Sequence, residues 1–238
     1  MNVYPYILSL LQRGRRLLAV LVDPDKPHLY PQLYPYLSQV DMLLVGGSTG
    51  SGVEECVQSL RHHTEGPIVL FPGNIAQFSP QADALLFLSL LNSRRPEVLI
   101  EPHIQVAQRV LQSGIETIPM GYILVDGQSL SAVERVTHCT PIDDIDQLVR
   151  TAIAGQLLGK QLIYLEAGSG ASVPVSPQHI QAVKQCLHIP LIVGGGIRTI
   201  EQMRDAYEAG ADIVVIGNHF EQFPQQLPEF IEEINRTI

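Results

Sequence analysis

The chain has 238 residues, 45% of them hydrophobic, enough for one large domain over residues 1–238 with a sizeable core. Its formal net charge of −9 argues against a nucleic-acid partner, which would need clustered Lys and Arg, and the one basic stretch, Arg13-Gly14-Arg15-Arg16, is a short solvated loop ahead of a strand. The three cysteines, Cys56, Cys139 and Cys186, show no CxxC spacing; their odd number points to a reducing, cytoplasmic setting, with Cys56 and Cys186 expected as buried apolar residues of helices.

Short apolar runs alternate with longer amphipathic segments, the pattern of βα units on a parallel sheet. In chain order, strands are expected at 17–22 and 42–45, a helix at 53–63, and a strand at 68–71. Residues 73–83 are few and carry Asn74, Ser79 and Pro80, so no full third helix is expected there and that side of the fold should be more open. A strand at 84–88 follows, then a helix at 96–113, a strand at 116–123 and a helix at 142–158. The last third reads strand 162–165, helix 177–187, strand 191–193, helix 199–209, strand 213–216 and helix 224–235. Ser176-Pro177 and Thr199 are helix starts, and Gly210 is a helix stop. Eight strands are the number that closes a (β/α)8 TIM barrel, and their near-continuous apolar character fits strands covered on both faces. No internal repeat or linker is visible. The longest apolar stretch, residues 84–91, is too short to span a bilayer, and the N-terminus has no signal-peptide pattern.

In such a barrel, chemistry sits at the C-terminal ends of the strands. The first strand ends in Asp23-Pro24-Asp25-Lys26, two carboxylates that can offer hard oxygen ligands to Mg2+, or an ordinary turn. The second ends in Gly46-Gly47-Ser48-Thr49-Gly50, which suits an anion or a metal-bound diphosphate and could share a metal with Asp23; otherwise it is a flexible loop. After the sixth come Tyr164-Leu165-Glu166-Ala167-Gly168-Ser169-Gly170. Tyr164 and Glu166 share strand parity, which aims Glu166 into the barrel mouth, where it can take or orient a hydroxyl proton. Gly168-Ser169-Gly170 adds backbone donors. The seventh and eighth strands end in Gly194-Gly195-Gly196-Ile197-Arg198 and Gly217-Asn218. Glycine lets backbone N–H groups approach an anion, and the loops after strands 7 and 8 are a recurrent phosphate site, although the same glycines also make tight corners. The eight histidines show no metal-ligand spacing, and no nucleophilic Ser or Cys motif is present.

DPDK, GGST, YLEAGSG, GGGIR and IGN, in this order after strands 1, 2, 6, 7 and 8, resemble the geranylgeranylglyceryl phosphate synthases, in particular the second of that family's two groups. Ile68 to Asn74, Leu91-Asn92-Ser93 and Pro119 to Val125 resemble family segments too, so the likeness covers nearly the whole chain. The resemblance implies a prenyltransferase. It would join the C3 hydroxyl of sn-glycerol 1-phosphate to an all-trans prenyl diphosphate, geranylgeranyl diphosphate by the family's name, and release diphosphate. By similarity, Asp23 and Ser48 would hold Mg2+ against the diphosphate. Tyr164, Leu165, Glu166, Ala167, Gly168, Ser169, Gly170, Gly195, Gly196, Gly217 and Asn218 would hold glycerol phosphate, with Glu166 on its hydroxyl. Leu21 is a departure, since members of the other group can have a phosphate-binding Lys there. The prenyl tail would lie in an apolar groove across the barrel, under the reduced third helix; Tyr122 and other aromatic residues could line it, and the sequence does not show which. A lipid substrate would be met at a membrane surface, and barrels of this class often form dimers or larger rings. Other readings are a sugar-phosphate isomerase or aldolase, a flavin oxidoreductase, or a non-catalytic phosphate binder. The absence of Lys from the expected strands lowers the aldolase.

Overall fold

The computed structural model describes residues 2–47 and 52–236. The elements run α1 (Val3–Gln12), β1 (Leu17–Val22), a 3-10 helix at Tyr30–Gln39, β2 (Met42–Val45), α2 (Val53–Arg61), β3 (Ile68–Leu70), β4 (Ala84–Leu90), α3 (Pro96–Leu99) and α4 (Glu101–Ser113). They continue with β5 (Glu116–Leu124), α5 (Ala132–Thr137), α6 (Ile145–Leu157), β6 (Leu162–Glu166), α7 (Pro177–Lys184), β7 (Leu191–Gly194), α8 (Ile200–Glu208), β8 (Ile213–Ile216), α9 (Asn218–Gln222), a 3-10 turn at Pro224–Gln226 and α10 (Leu227–Arg236). The strands close a barrel in sequence order, β1 to β8, the expected (β/α)8 architecture. Strands β2, β3, β6, β7 and β8 are buried along their whole length, as their unbroken apolar runs require. Contacts group the chain into two compact units. One holds Met1–Leu86, Pro102–Thr117 and Ile216–Ile238; the other holds Phe87–Glu101 and Ile118–Val215.

The helix expected at 96–113 is two helices. Ile100 leaves the helical region at φ −137°, and Pro102 lacks the N–H that would continue the ladder across it. Between β1 and β2 the chain forms a 3-10 helix that contains Pro31 and Pro35, which withhold donors from an α-helix. α5 was not expected either, although Ser131 and Glu134 form a reciprocal capping box that is legible as S-x-x-E. α1 has no side-chain cap from Asn2. Instead the Glu116 carboxylate accepts from the backbone N–H groups of Val3 and Tyr4, a cap supplied from far along the chain. The Ser176 and Thr199 caps are present as expected, and Gly210 stops α8 at φ +111°. No helix forms between β3 and β4. Asn74 and Ser79 close local turns there, and the Arg109 guanidinium from α4 stands 4.4 Å over the Phe78 ring. Cys186 is a correction: it is exposed, because α7 ends at Lys184 and leaves it on a turn.

The N-terminal ends of the strands carry a device that repeats across two-strand units. Asp41, Asp83 and Asp212 stand just before β2, β4 and β8. Each accepts a backbone N–H near the start of the preceding strand: Leu18 at 2.9 Å, Ile68 at 2.8 Å and Leu191 at 2.7 Å. Each also holds one basic side chain, Arg15, Arg61 and Lys184 respectively. The carboxylate thus satisfies a buried donor and is itself neutralised, which a buried charge needs. Burial still pushes the Asp41 carboxyl above its ordinary value, against the Leu18 N–H and Arg15.

Asp212→Ala removes both the acceptor for Leu191 N–H and the partner of Lys184. It is expected to cost about 3 kcal/mol in urea unfolding, the range for breaking a partly buried charged pair, with kcat unchanged because this is the stability face of a barrel.

Candidate functional site

In the second compact unit the site is built around β6. Tyr164 lies opposite Tyr122 of β5 in the ladder, and the two rings meet edge to face at 5.4 Å. Two residues on, Glu166 is only 7% exposed. Its carboxylate is hydrogen-bonded by the Tyr164 hydroxyl and by the Gly168 N–H, the latter at 2.8 Å onto Oε1. Burial nevertheless raises the Glu166 carboxyl above its ordinary value, with those two bonds opposing. Burial, followed by the Glu166 charge, also raises the Tyr122 and Tyr164 phenols. Tyr122 thus backs Tyr164.

The end of β7 is shaped to this pair. A Cβ on Gly194 would run into the Tyr164 hydroxyl. Gly195, at φ +82°, would drive one into Glu166 Oε1 and to 2.7 Å from Gly168 N. Gly196, at φ +73°, would meet the Val173 carbonyl at 2.7 Å. Arg198 then ties this loop down, donating to the carbonyls of Ala171, Ser172 and Gly196. The expectation that Gly168-Ser169-Gly170 lends its N–H groups to an anion needs correcting at Gly168, whose N–H is turned onto Glu166. Leu165 and Ala167 have apolar, fully buried side chains, so their backbone is what can contribute polar contacts. Ala167 N–H already bonds Gly194 O at 3.0 Å.

In the first unit, β1 ends in an Asx turn, with Asp25 N–H donating to Asp23 Oδ1 at 3.0 Å. The Lys26 ammonium lies 3.3 Å from Asp23 Oδ2 and 2.7 Å from Glu221 Oε2. A Cβ on Gly47 would strike the Asp23 carboxylate and sit 2.9 Å from Asp25 Oδ2, so both carboxylates crowd around a position with no side chain. Gln77, buried and missed by the sequence reading, binds this end together: it accepts from Gly73 N–H at 2.6 Å and donates to Gly47 O at 2.7 Å. Nothing in the sequence distinguishes Gln77 from other polar loop residues. Ser48, Thr49 and Gly50 lie outside the described residues. Hard oxygens from one or two carboxylates are the donor set Mg2+ takes when phosphates and water complete its shell, so Asp23 and Asp25 fit that ion. Among the described residues no cluster of three or more His, Cys, Asp or Glu could hold a metal ion.

At the end of β8, Gly217 is the N-cap of α9 and Asn218 its first residue. Leu21 of β1 packs here, its Cβ 3.2 Å from where a Gly217 Cβ would be, so an apolar group occupies this position. Lys26 reaches this end through its ion pair with Glu221 of α9. His179 bonds Ser176 and the Asp143 carbonyl, a capping role.

A model of the PcrB family matches residues 12–237. A geranylgeranylglyceryl phosphate synthase of Zunongwangia profunda is 48% identical over 224 residues, 90% of this chain and 95% of that protein. The protein of the same name from Thermococcus kodakarensis is 41% identical, covering 100% of this chain and 97% of its own. Among solved structures, (S)-3-O-geranylgeranylglyceryl phosphate synthase from Thermoplasma acidophilum, in complex with its substrate sn-glycerol-1-phosphate, superposes with a TM-score of 0.89 at 34% identity over 99% of each chain.

Two outcomes follow from the Tyr164–Glu166 geometry. Gly195→Ala is expected to lose about 2 kcal/mol or more, from a left-handed Ala and a methyl against Glu166. Its kcat should fall with stability; an unchanged kcat in the folded variant would show that Glu166 has not been displaced. The second concerns pH. Because the folded-state pKa of Glu166 is raised, its contribution to stability is full below the unfolded value of about 4.3 and is lost as pH rises through the folded value. Glu166→Gln should therefore gain stability relative to the parent as pH rises from about 4.3 through the folded value in paired urea titrations.

Proposed function

The chain belongs to the PcrB family, together with its geranylgeranylglyceryl phosphate synthase relatives, and we propose that it is a prenyltransferase joining the C3 hydroxyl of sn-glycerol 1-phosphate to an all-trans prenyl diphosphate. The observation that carries this reading is the buried Glu166 carboxylate, hydrogen-bonded by Tyr164 and fitted against Gly195 at the strand ends. Burial raises its proton affinity, which makes it a better acceptor for a hydroxyl proton near neutral pH. The glycerol hydroxyl oxygen forms a bond to the allylic carbon as that carbon's bond to the diphosphate breaks, and Glu166 takes the hydroxyl proton. Tyr164 holds the carboxylate in place. The residues assigned to glycerol phosphate are Tyr164 through Gly170, Gly195, Gly196, Gly217 and Asn218, acting largely through backbone N–H groups, with the Gly168 N–H serving Glu166 instead.

Asp23 and Ser48 are assigned to Mg2+, and the closeness of Asp25 to Gly47 supports an acidic metal end. When bound, Mg2+ neutralises the charge developing on the leaving diphosphate. Large apolar side chains left exposed, Ile104 and Leu111 on α4 and Leu157 and Leu158 at the end of α6, support a homo-oligomer. Three free thiols support a cytoplasmic setting. No described helix is long and apolar enough to cross a membrane, and contact with a membrane surface would serve prenyl substrate uptake. The described strands contain no lysine, which argues against a Schiff-base aldolase.

The test is incubation with Mg2+, sn-glycerol 1-phosphate and prenyl diphosphates of several lengths, with the product identified by mass. A monoprenyl ether of glycerol phosphate is expected, absent in excess chelator. Glu166→Gln should lower kcat by roughly 10²–10⁴ and leave prenyl diphosphate binding unchanged. Near-parental kcat in that variant, with the preference for the sn-1 isomer retained, would remove Glu166 from the mechanism.

A further inference from the structure

Lys26 sits between two carboxylates that do not hold it equally. Its ammonium is 2.7 Å from Glu221 Oε2 and 3.3 Å from Asp23 Oδ2. Only the Glu221 contact is a short, charge-assisted hydrogen bond. The other Asp23 oxygen, Oδ1, accepts from Asp25 N–H. Oδ2 is thus the Asp23 oxygen that faces the ammonium and takes no bond from the Asx turn. Both acids are shielded, with Asp23 at 18% and Glu221 at 13% side-chain exposure, so their interactions with Lys26 are screened less than a surface pair. Glu221 itself is anchored: it lies on α9, and its backbone N–H bonds the Gly217 carbonyl.

We infer that Glu221 is a positioning residue for the metal end of the site, drawing Lys26 off Asp23 and so leaving Asp23 Oδ2 to a divalent cation. This rests on the assignment of Asp23 to the metal. Lysine suits the role because its ammonium is a compact charge on a flexible four-carbon stem, able to swing between two acceptors. Without Glu221 it has Asp23 alone and closes on the ligand oxygen. Without Lys26, Asp23 has no competing cation.

Mn2+ titration of the full chain without substrate, read from the electron paramagnetic resonance signal of the free ion, tests this. Glu221→Gln is expected to weaken Mn2+ binding about five-fold, and Lys26→Met to tighten it about five-fold. The double variant should match Lys26→Met, because Glu221 acts only through Lys26. A merely structural ion pair would shift both single variants the same way. If Glu221→Gln weakens binding equally in the Lys26→Met background, Glu221 acts by its own charge and the inference fails. Should Glu221→Gln not fold, Glu221→Asp keeps the charge but withdraws it by one methylene, and the same weakening is expected; unchanged binding there overturns the inference. Parent protein that binds no Mn2+, even with inorganic diphosphate added, overturns the Asp23 assignment and this inference together. Parent protein that binds Mn2+, and loses it in Asp23→Asn, with the Glu221 variants unchanged, overturns this inference alone.

Discussion

A buried carboxylate governs the second half of this barrel. Burial works against a charge on Glu166, and the Tyr164 hydroxyl and the Gly168 N–H both reach its carboxyl to oppose that cost. That requirement spreads outward. Tyr164 is braced by the edge of Tyr122, and its hydroxyl leaves no room for a side chain at residue 194. Gly195 has neither a Cβ nor a conventional φ, since either would displace the carboxylate or the turn below it. Arg198 clips the resulting loop to the backbone after β6. The glycines of this loop are therefore a packing solution.

The two ends of the strands do different work. At the N-terminal ends, Asp41, Asp83 and Asp212 each satisfy a strand N–H and a basic side chain, so charge there is matched and inward-looking. At the C-terminal ends the charged groups are less completely matched: Glu166 is held by neutral donors, and Asp23 and Glu221 share one ammonium. Such imbalance costs stability and is tolerated where a ligand completes the arrangement. The β1–β3 ends are joined by side chains, through the Asp23 turn and Gln77, whereas the β6–β7 ends are joined by backbone fit. The first kind of joint can adjust by side-chain rotation; the second is stiff.

Strand positions, closure of the barrel and the family were legible in the sequence, because parallel strands covered on both faces must be apolar throughout and their loops must carry the chemistry. The period-two rule placed Tyr164 and Glu166 on one face of β6 from the sequence alone. Helix caps written locally, at Ser176 and Thr199, were also visible; the one at Ser131 was there to be read. What the sequence could not show are pairings between residues far apart in the chain: Glu116 capping α1, Gln77 joining Gly47 to Gly73, Gly168 turned onto Glu166 by the fit of Gly195, and Lys26 shared between Asp23 and Glu221. Composition and periodicity report which face a residue takes within its own element. Which donor meets which acceptor is decided only when the barrel closes, because closure brings those atoms within bonding distance, and burial then makes each choice costly to reverse.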